Sequence, residues 1–417
     1  MKILFLCGVF PKENENSIYK KSKGIIQTAA NKLQWNIIEG IEKVLKKSVS
    51  IITSLFIGSY PKMYTDVYIR SFVFTHDGIS KDHAAGFINL KGIEVFHRMV
   101  TLRKPINNWV RDCIAENERP VIITYSVLPQ FMYSIKRIKH KYPEAHICIV
   151  VPDLFEYMTV NVKKTLTRKI YNKFVKGILL KIINNGIKHA DSFVLLTEQM
   201  RDALKVNGRP YVIVEGITSE TADDDSYATT SDPGIYRIVY TGTLACKYGI
   251  MDLVRQFMNM KDERYKLIIC GEGDSREEIE RLTQIDTRIS YKGNLRHDEV
   301  LRMHKQATVL VNPRRNDEEF TKFSFPSKTV EYMRSGRPVM MHRLDGIPRE
   351  YDEYINYFDL YPGKNMFEAI AEFCNRDSNE LNLIGEAARN FVLKNKNPEK
   401  QARKIIAMIC QSMDIKI

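Results

Sequence analysis

Apolar residues recur in short continuous runs along the chain, and most runs are followed by a segment with helical spacing. Residues 2–7 form the first run, residues 29–45 carry apolar side chains at helical spacing, and residues 49–52 form a second run. Runs that do not alternate with polar residues are typical of strands buried on both faces of a parallel sheet. The chain therefore opens with a predicted βαβ unit.

The same alternation continues to the end of the chain. Further strands are predicted at residues 71–75, 121–124, 146–151, 192–196, 211–214, 236–241, 266–270, 288–291, 308–311 and 338–341. Residues 217–235 hold small and polar residues with a Pro-Gly pair, which is typical of a linker. We predict two α/β domains with largely parallel, doubly wound sheets, residues 1–216 and 236–397. Residues 398–417 have helical apolar spacing, and we expect this helix to cross back to the first domain.

The first half offers two candidate ligand contacts at strand ends. Gly8 follows the first strand, where a turn could bring the backbone close to a ligand. Asp153 follows the strand at residues 146–151, at the edge where open α/β sheets bind ligands. A helix cap explains Asp153 as readily, so both interpretations stay open. The polar stretch at residues 11–22 is predicted to be a mobile loop.

Charge is distributed unevenly between the two halves. Residues 1–216 carry 33 Lys+Arg against 18 Asp+Glu, whereas residues 217–417 carry 30 against 32. Residues 161–190 hold eight basic residues, no acidic residue and apolar residues at helical spacing. The basic excess of the first half indicates an anionic partner, either nucleic acid or a membrane surface. A solvated basic surface explains the excess as well.

The composition also bears on location and on metal binding. No apolar run reaches the roughly 20 residues of a membrane-spanning helix, and the first residues make a poor signal peptide, so we expect a cytoplasmic protein. The seven cysteines form no C-x-x-C pair and the nine histidines no H-x-x-x-H pair. We therefore expect no structural metal.

The stretch from residue 323 to residue 340 carries the first candidate chemistry. It is predicted to form a loop, a helix of about three turns and a strand, with Pro326 in the first helical turn and Gly336 in the left-handed position after the last. The start of such a helix leaves the amides of Ser327, Lys328 and Thr329 without intrahelical partners, and it would receive a phosphate group.

Glu331 lies on the same helix face as Lys328. Its carboxylate could accept hydrogen bonds from a vicinal diol such as a ribose, and ribose beside phosphate indicates a nucleotide. A solvated helix in which Glu331 pairs with Lys328 or Arg334 explains the pattern equally well.

Three predicted strands of the second half end in turns that contain glycine. Gly242 follows the first, with Lys247 shortly after it, Gly271 follows the second and Gly293 the third. Glycine lets the backbone approach a ligand closely, although glycine also ends strands for geometric reasons alone. Together with the helix that carries Glu331, the turns predict one nucleotide crevice.

The chain resembles family 4 of the glycosyltransferases, retaining enzymes with the GT-B fold of two Rossmann-like domains facing across a cleft. The motifs that carry the resemblance are Asn312-Pro313-Arg314, Ser324-Phe325-Pro326-Ser327-Lys328, Glu331-Tyr332-Met333, Ser335-Gly336, Pro338-Val339, Gly346-Ile347-Pro348 and Glu350-Tyr351. They are similar to the branch that builds bacterial capsule, exopolysaccharide or O-antigen. The implied acceptor is a saccharide, which a lipid could carry.

The resemblance implies a nucleotide-sugar donor bound mainly by the second domain, with no metal. Glu331 is expected on the ribose, and Ser327 and Lys328 are expected on the diphosphate. The other implied donor contacts are Gly8, Gly242, Lys247, Gly271, Gly293 and Arg314. No catalytic nucleophile is identifiable, and Asp153 is the candidate on the acceptor side.

The chain departs from the family pattern at three places. Phe323 stands where many members have a first glutamate, Thr243 stands where many have an arginine, and only Gly8 remains of an N-terminal glycine pair. Arg314 or Arg315 could supply the missing cation. The alternatives are a sugar-nucleotide epimerase or phosphorylase of the same fold, and a basic nucleic-acid-binding protein. The last lacks a recognised nucleic-acid motif, and we expect no nucleic acid as a partner.

Overall fold

A computed structural model of the chain describes residues 1–24, 26–155, 166–218, 234–317 and 319–415, without the side chains of residues 166–174. The chain divides into two compact units. The first contains Met1–Glu215 together with Pro398–Ile417, and the second contains Gly216–Asn397. The predicted boundary at residue 216 lies beside this division, whereas most of the predicted linker, residues 217–235, lies outside the described residues.

The first unit is built on an eight-stranded sheet. The unit has ten strands among its described residues, eight in this sheet and two, β3 and β6, in a separate pair. They are β1 (Lys2–Cys7), β2 (Ser50–Thr53), β3 (Tyr68–Ile69), β4 (Phe72–Phe74), β5 (Asp82–Ala84), β6 (Phe87–Ile88), β7 (Pro120–Tyr125), β8 (His146–Val151), β9 (Ser192–Leu195) and β10 (Tyr211–Ile213). Its helices before residue 216 are α1 (Glu15–Lys21), α2 (Thr28–Leu45), α3 (Glu94–Thr101), α4 (Arg103–Ala115), α5 (Pro129–Lys141), α6 (Leu166–Ile187) and α7 (Met200–Ala203).

The strand order of this sheet is β10-β9-β8-β7-β1-β2-β5-β4. Every neighbouring pair is parallel except β4 with β5, so the strand predicted at residues 71–75 is an antiparallel edge strand. All residues of β7 and β8 are buried, as expected for central strands with helices on both faces. Strands β3 and β6 form the separate antiparallel pair.

The mobile loop predicted at residues 11–22 is wrong. A 3-10 helix at Lys12–Asn14 and helix α1 occupy this stretch. Ile18 is buried, and the ring of Tyr19 packs edge-on against the ring of Phe10 with 6.3 Å between centroids. These few apolar contacts order a stretch whose overall polarity had indicated a loop.

The second unit is built on a six-stranded sheet in which every neighbouring pair is parallel. Its strands are β11 (Tyr236–Thr241), β12 (Tyr265–Cys270), β13 (Ile289–Tyr291), β14 (Val309–Asn312), β15 (Val339–Met341) and β16 (Asn356–Tyr357). Its helices are α8 (Ile250–Asn259), α9 (Arg276–Thr283), α10 (His297–Lys305), α11 (Lys328–Arg334), α12 (Met366–Cys374) and α13 (Ser378–Asn395).

The order of this second sheet is β13-β12-β11-β14-β15-β16. Strand β11 therefore has β12 on one side and β14 on the other, and the chain reverses its direction of growth across the sheet at this point. In open α/β sheets such a point opens a crevice at the carboxyl ends of the strands, and ligands bind there. The loops that follow β11 and β14 are thus the first place to look for a ligand site.

The C-terminal helix α14 (Pro398–Ser412) belongs to the first unit, where it packs on α2. The contact is close because position 40 is glycine. A Cβ atom at Gly40 would lie 2.2 Å from the carbonyl oxygen of Pro398, which no ordinary contact allows. Within the described residues, no helix combines the length and the apolar character that crossing a membrane requires.

Candidate functional site

The three predicted glycine turns form a continuous row at the carboxyl edge of the second sheet. The amide of Gly242 donates to the carbonyl of Cys270 at 3.0 Å, and the amide of Gly271 donates to the carbonyl of Gly293 at 2.9 Å. Gly271 has a φ of +139°, and a Cβ there would lie 1.8 Å from the carbonyl oxygen of Gly242. The row therefore requires glycine at position 271, whereas a Cβ at Gly293 would meet open space.

Lys247 and Arg314 are brought to one aromatic ring. Gly249, with a φ of +79°, lies so close to Pro313 that a Cβ would be 2.4 Å from its carbonyl oxygen. This packing joins the loop after β11 to the loop after β14. As a result the Nζ of Lys247 lies 4.8 Å, and the guanidinium carbon of Arg314 4.7 Å, from the centroid of Phe320. The two cations at this ring repel each other, and an anion bound between them would offset that repulsion.

Arg314 is the more buried of these two cations and is held on several sides. Its guanidinium donates to Oγ of Ser324 at 2.6 Å and lies 5.0 Å from the centroid of the Tyr248 ring. Arg315, the other arginine considered, makes an exposed ion pair with Asp252 at 3.4 Å. Of the two, Arg314 is the one that the fold fixes at the candidate site.

Helix α11 is shorter than the three turns predicted from the sequence. It begins at Lys328, with Ser327 as the cap residue, and Pro326 lies outside it. The amide of Thr329 donates to the carbonyl of Pro326 at 2.8 Å, so the expectation of three partnerless amides at this end is wrong. The chain tightens into a turn before the helix begins, and this turn uses the third amide. Gly336 has the left-handed φ of +75° that was expected after the helix.

Glu331 pairs with Lys328 across one turn of the helix. The Nζ of Lys328 lies 2.8 Å from Oε2 of Glu331, whereas Oε1 is buried and has no hydrogen-bond partner among the described residues. Burial opposes ionisation of Glu331, but the charge of Lys328 outweighs it, and the pKa falls to about 2. At neutral pH the site therefore holds a carboxylate with one buried oxygen that lacks a donor, which is uncommon unless a ligand supplies one.

A buried network that the sequence did not predict connects helices α10 and α11 to strand β11. The hydroxyl of Tyr332 donates to the carbonyl of Thr241 at 2.8 Å, and the Nε2 of His304 lies 2.8 Å from Oγ1 of Thr241. Burial lowers the pKa of His304 to about 3, so the ring is neutral. This network fixes α11 beside Gly242. A lone histidine and a lone tyrosine on helices carry no sequence signal for it.

Lys328 also lies near the glycine row. Tyr332, on the same helix, donates to the carbonyl of Thr241, directly before Gly242, and this bond holds the helix that carries Lys328 beside the end of β11. The structure thus brings Lys328 and Glu331 to the strand ends that carry Gly242 and Gly271. It brings Lys247 and Arg314 together at the neighbouring loops.

Gly8 and Asp153 belong to the first unit. The amide of Gly8 donates to Oε1 of Gln34 at 2.9 Å, and a Cβ at Gly8 would lie 1.8 Å from the ring of Phe56. The ring of Phe56 therefore packs against this glycine, and a donor contact at Gly8 stays a prediction that requires the ring to move. Asp153 is exposed two residues after β8, and its role on the acceptor side also stays a prediction.

Among the described residues, one group has the size of a cation site. It consists of Glu42, His76 and Asp77 in the first unit. Burial disfavours the charged form of His76, but hydrogen bonds to Asp82 at 2.6 Å and Glu42 at 2.8 Å outweigh it and raise its pKa to about 10. The ring is therefore an imidazolium with both nitrogens bonded, and the group is explained as an ionic network.

Comparison with known proteins agrees with the position of the site. Residues 235–376, which contain every candidate contact of the second unit, match the sequence model of the family described as glycosyl transferases group 1. The sucrose-phosphate synthase of Thermosynechococcus elongatus superposes with a TM-score of 0.64 at 16% identity, over 99% of both chains. The chain has the GT-B fold.

Two further structures share this fold. The lipopolysaccharide outer core galactosyltransferase WaaB, in its apo form, has a TM-score of 0.60 at 15% identity over 99% of both chains. HepE of Anabaena, in complex with UDP, has a TM-score of 0.58 at 12% identity and covers 99% of this chain and 100% of its own. Comparison with curated protein sequences gave no match. At these identities the shared property is the GT-B fold, and an activity has to be argued from the site.

Proposed function

We propose that this GT-B protein is a retaining glycosyltransferase that moves a sugar from a nucleotide-diphosphate sugar to a saccharide acceptor. The observation that carries the proposal is the ionised carboxylate of Glu331, whose buried Oε1 has no donor in the part of the chain that the structure describes, while Lys328 bonds Oε2. A ribose hydroxyl is a donor of the right kind for this oxygen. The site also lies in the segment that matches the glycosyltransferase family and at the strand ends where α/β folds bind nucleotides.

The cations of the second unit suit the leaving group of such a transfer. A departing nucleoside diphosphate develops negative charge, and fixed cations stabilise it without reorganising during the reaction. Lys247 and Arg314 share the Phe320 ring, and Lys328 lies near the glycine row. When Lys328 turns to a phosphate, Oε2 of Glu331 is released for a second ribose hydroxyl. These side chains offer the charge that a divalent metal supplies in other transferases, so we propose a reaction without metal.

The proposal also covers the acceptor. We propose a saccharide, carried on a lipid, in the assembly of a bacterial capsule, exopolysaccharide or O-antigen. The structural neighbour WaaB is named for a lipopolysaccharide, and the basic first half suits a protein that works at the inner face of a membrane. Asp153, exposed after β8, is the proposed acceptor-side residue.

A panel of nucleotide sugars tests the proposal. Ligand binding raises the melting temperature, and donor hydrolysis in the absence of an acceptor releases a nucleoside diphosphate. We expect one donor to raise the melting temperature of the wild type and to be hydrolysed by it. With Glu331→Ala we expect neither the rise in melting temperature nor the hydrolysis. The anomeric configuration of the transferred sugar, measured by NMR, checks retention. The proposal fails if no nucleotide sugar binds, or if the bound donor is isomerised without release of a nucleoside diphosphate.

A further inference from the structure

A groove of about 530 Å³ lies in the first unit, on the surface between α5 and α6. It is lined by Tyr133, Lys136, Arg137, His140 and Lys141 from α5 and by Ile182 and Asn185 from α6. Among the described residues, the lining therefore holds three permanent cations, a histidine and no carboxylate. None of the candidate donor contacts lines it.

The cations face the groove together because of their spacing on the helix. Residues 133, 136, 137, 140 and 141 follow the three- and four-residue steps that place side chains on one face. Lys136, Arg137 and Lys141 form no salt bridge with any residue in the described part of the chain. Adjacent like charges repel one another, so this arrangement is destabilising until an anion offsets it.

A second arginine lies behind the wall of the groove. Arg103 of α4 donates to the hydroxyl of Tyr133 at 2.6 Å, and its Nε is buried without a hydrogen-bond partner among the described residues. The guanidinium of Arg137 lies 5.8 Å from the centroid of the same ring. Two guanidinium groups thus flank one tyrosine. The planar fork of arginine matches the oxygens of a phosphate group, which it binds through two parallel hydrogen bonds.

We propose that the groove between α5 and α6 binds the phosphate group of an anionic ligand, at a site distinct from the candidate donor site. Ile182 lines the groove, and Ile178, one turn earlier on the same helix, is 38% exposed. An apolar rim beside a phosphate site suits the phosphate of a lipid headgroup. A soluble phosphate compound is the other source of the same chemistry. The inference does not rest on the proposed transfer reaction.

Two probes distinguish these sources. Sedimentation with vesicles of phosphatidylglycerol, against vesicles of phosphatidylcholine, tests the lipid phosphate, and calorimetry with inorganic pyrophosphate tests the soluble one. The groove variant carries Lys136→Glu, Arg137→Glu and Lys141→Glu. The control variant carries Lys20→Glu, Lys81→Glu and Lys91→Glu, which are exposed residues of the same unit and change the net charge equally.

We expect the wild type to bind at least one probe. Because a basic residue near an anionic surface contributes roughly a factor of five, the groove variant should bind roughly a hundredfold more weakly, and the control variant should stay within a few fold. Asn185→Trp, which narrows the groove without changing its charge, should also weaken binding. Binding to phosphatidylglycerol alone identifies a lipid headgroup, and binding to pyrophosphate alone identifies a soluble ligand.

The proposal is overturned by either of two results. In the first, the wild type binds neither probe. In the second, the groove and control variants lose the same affinity, which would mean that only net charge matters. Each variant is first checked for an unchanged melting temperature and for the donor-induced rise in that temperature. Loss of the groove site therefore cannot be confused with failure of the donor site.

Discussion

Replacing Glu331 by glutamine tests the central residue of the donor site with the smallest change of shape. Lys328 donates to Oε2 of Glu331, and Oε1 has no partner among the described residues. The substitution removes the charge while it keeps the volume of the side chain. The fold should tolerate it, because an i,i+3 pair on a helix contributes only about 0.2–0.5 kcal/mol and Lys328 is 36% exposed.

The expected loss of affinity follows from the number of oxygens available. One free carboxylate oxygen allows one charge-assisted hydrogen bond to a ribose hydroxyl, which is worth about 1.5–3 kcal/mol. Glutamine keeps an acceptor oxygen but loses the charge, so at about 1.4 kcal/mol for each factor of ten the nucleotide should bind at most roughly 10- to 150-fold more weakly. A larger loss would mean that Oε2 also binds the ribose once Lys328 has turned to a phosphate.

Calorimetric titration with UDP, GDP, ADP and CDP identifies the nucleotide that binds the wild type best, and its 2′-deoxy and 3′-deoxy forms then complete the test. For the wild type, removing the hydroxyl that donates to Glu331 should weaken binding at least as much as Glu331→Gln does. For the variant, removing the same hydroxyl should cost less than in the wild type, because the neutral amide oxygen of glutamine accepts a weaker hydrogen bond than a carboxylate does.

Two results would refute this reasoning. Unchanged nucleotide affinity in a folded Glu331→Gln protein would remove the residue from the site. Equal losses for the deoxy nucleotide in wild type and variant would show that Glu331 acts on some part of the ligand other than the ribose.

Three further predictions concern the rest of the second unit. Gly271→Ala should lower the urea midpoint of unfolding strongly, because the new Cβ would collide with Gly242 and the φ of +139° would be strained by about 1–3 kcal/mol. Gly293→Ala, at a φ of +67° and in open space, should cost only about 1–2 kcal/mol of stability. Equal losses in the two variants would contradict the close row of turns. Turnover should survive exhaustive treatment with EDTA; loss of turnover that magnesium or manganese restores would show that a cation is needed. The stability of the unit should fall by up to about 1.4 kcal/mol for each pH unit between pH 6.5 and pH 3, because burial lowers the pKa of His304 to about 3 and the unfolded chain takes up the proton first. In urea titrations across that range, His304→Gln should lose this dependence on pH. An unchanged dependence in the variant would assign it to other groups.

The strands were largely predictable from the sequence, because buried parallel strands are continuous apolar runs. The predictions at residues 146–151 and 236–241 match β8 and β11 residue for residue. The short strands β3, β5, β6 and β16 were missed because so few residues show no period, whereas the three-residue strands β4, β10, β13 and β15 lie within predicted apolar runs. The polar stretch before α2 is helical rather than a loop because the buried Ile18 and the partly buried Tyr19 are enough to order it.

Among the side chains of the site, only those close in sequence could be placed together from the sequence. Glu331 and Lys328 are three positions apart, and helical geometry alone places them together. Lys247 and Arg314 converge on Phe320 only because β11 and β14 are neighbours in the sheet and Gly249 admits the backbone of residue 313. That contact depends on strand order, which the sequence pattern does not specify. The buried partners of Thr241 were missed for the same reason.

The packing of α14 on α2 has a consequence for synthesis on the ribosome. The first unit includes residues 398–415, so it cannot be completed until the 182 residues from Gly216 to Asn397 have been translated. At roughly 5–20 residues per second this takes roughly 10–40 s. Throughout that interval the surface that later covers Ile405 and Ile409, both fully buried in the finished protein, is open to water and to chaperones. During translation the first unit therefore remains incomplete while the second unit emerges from the ribosome and can already fold.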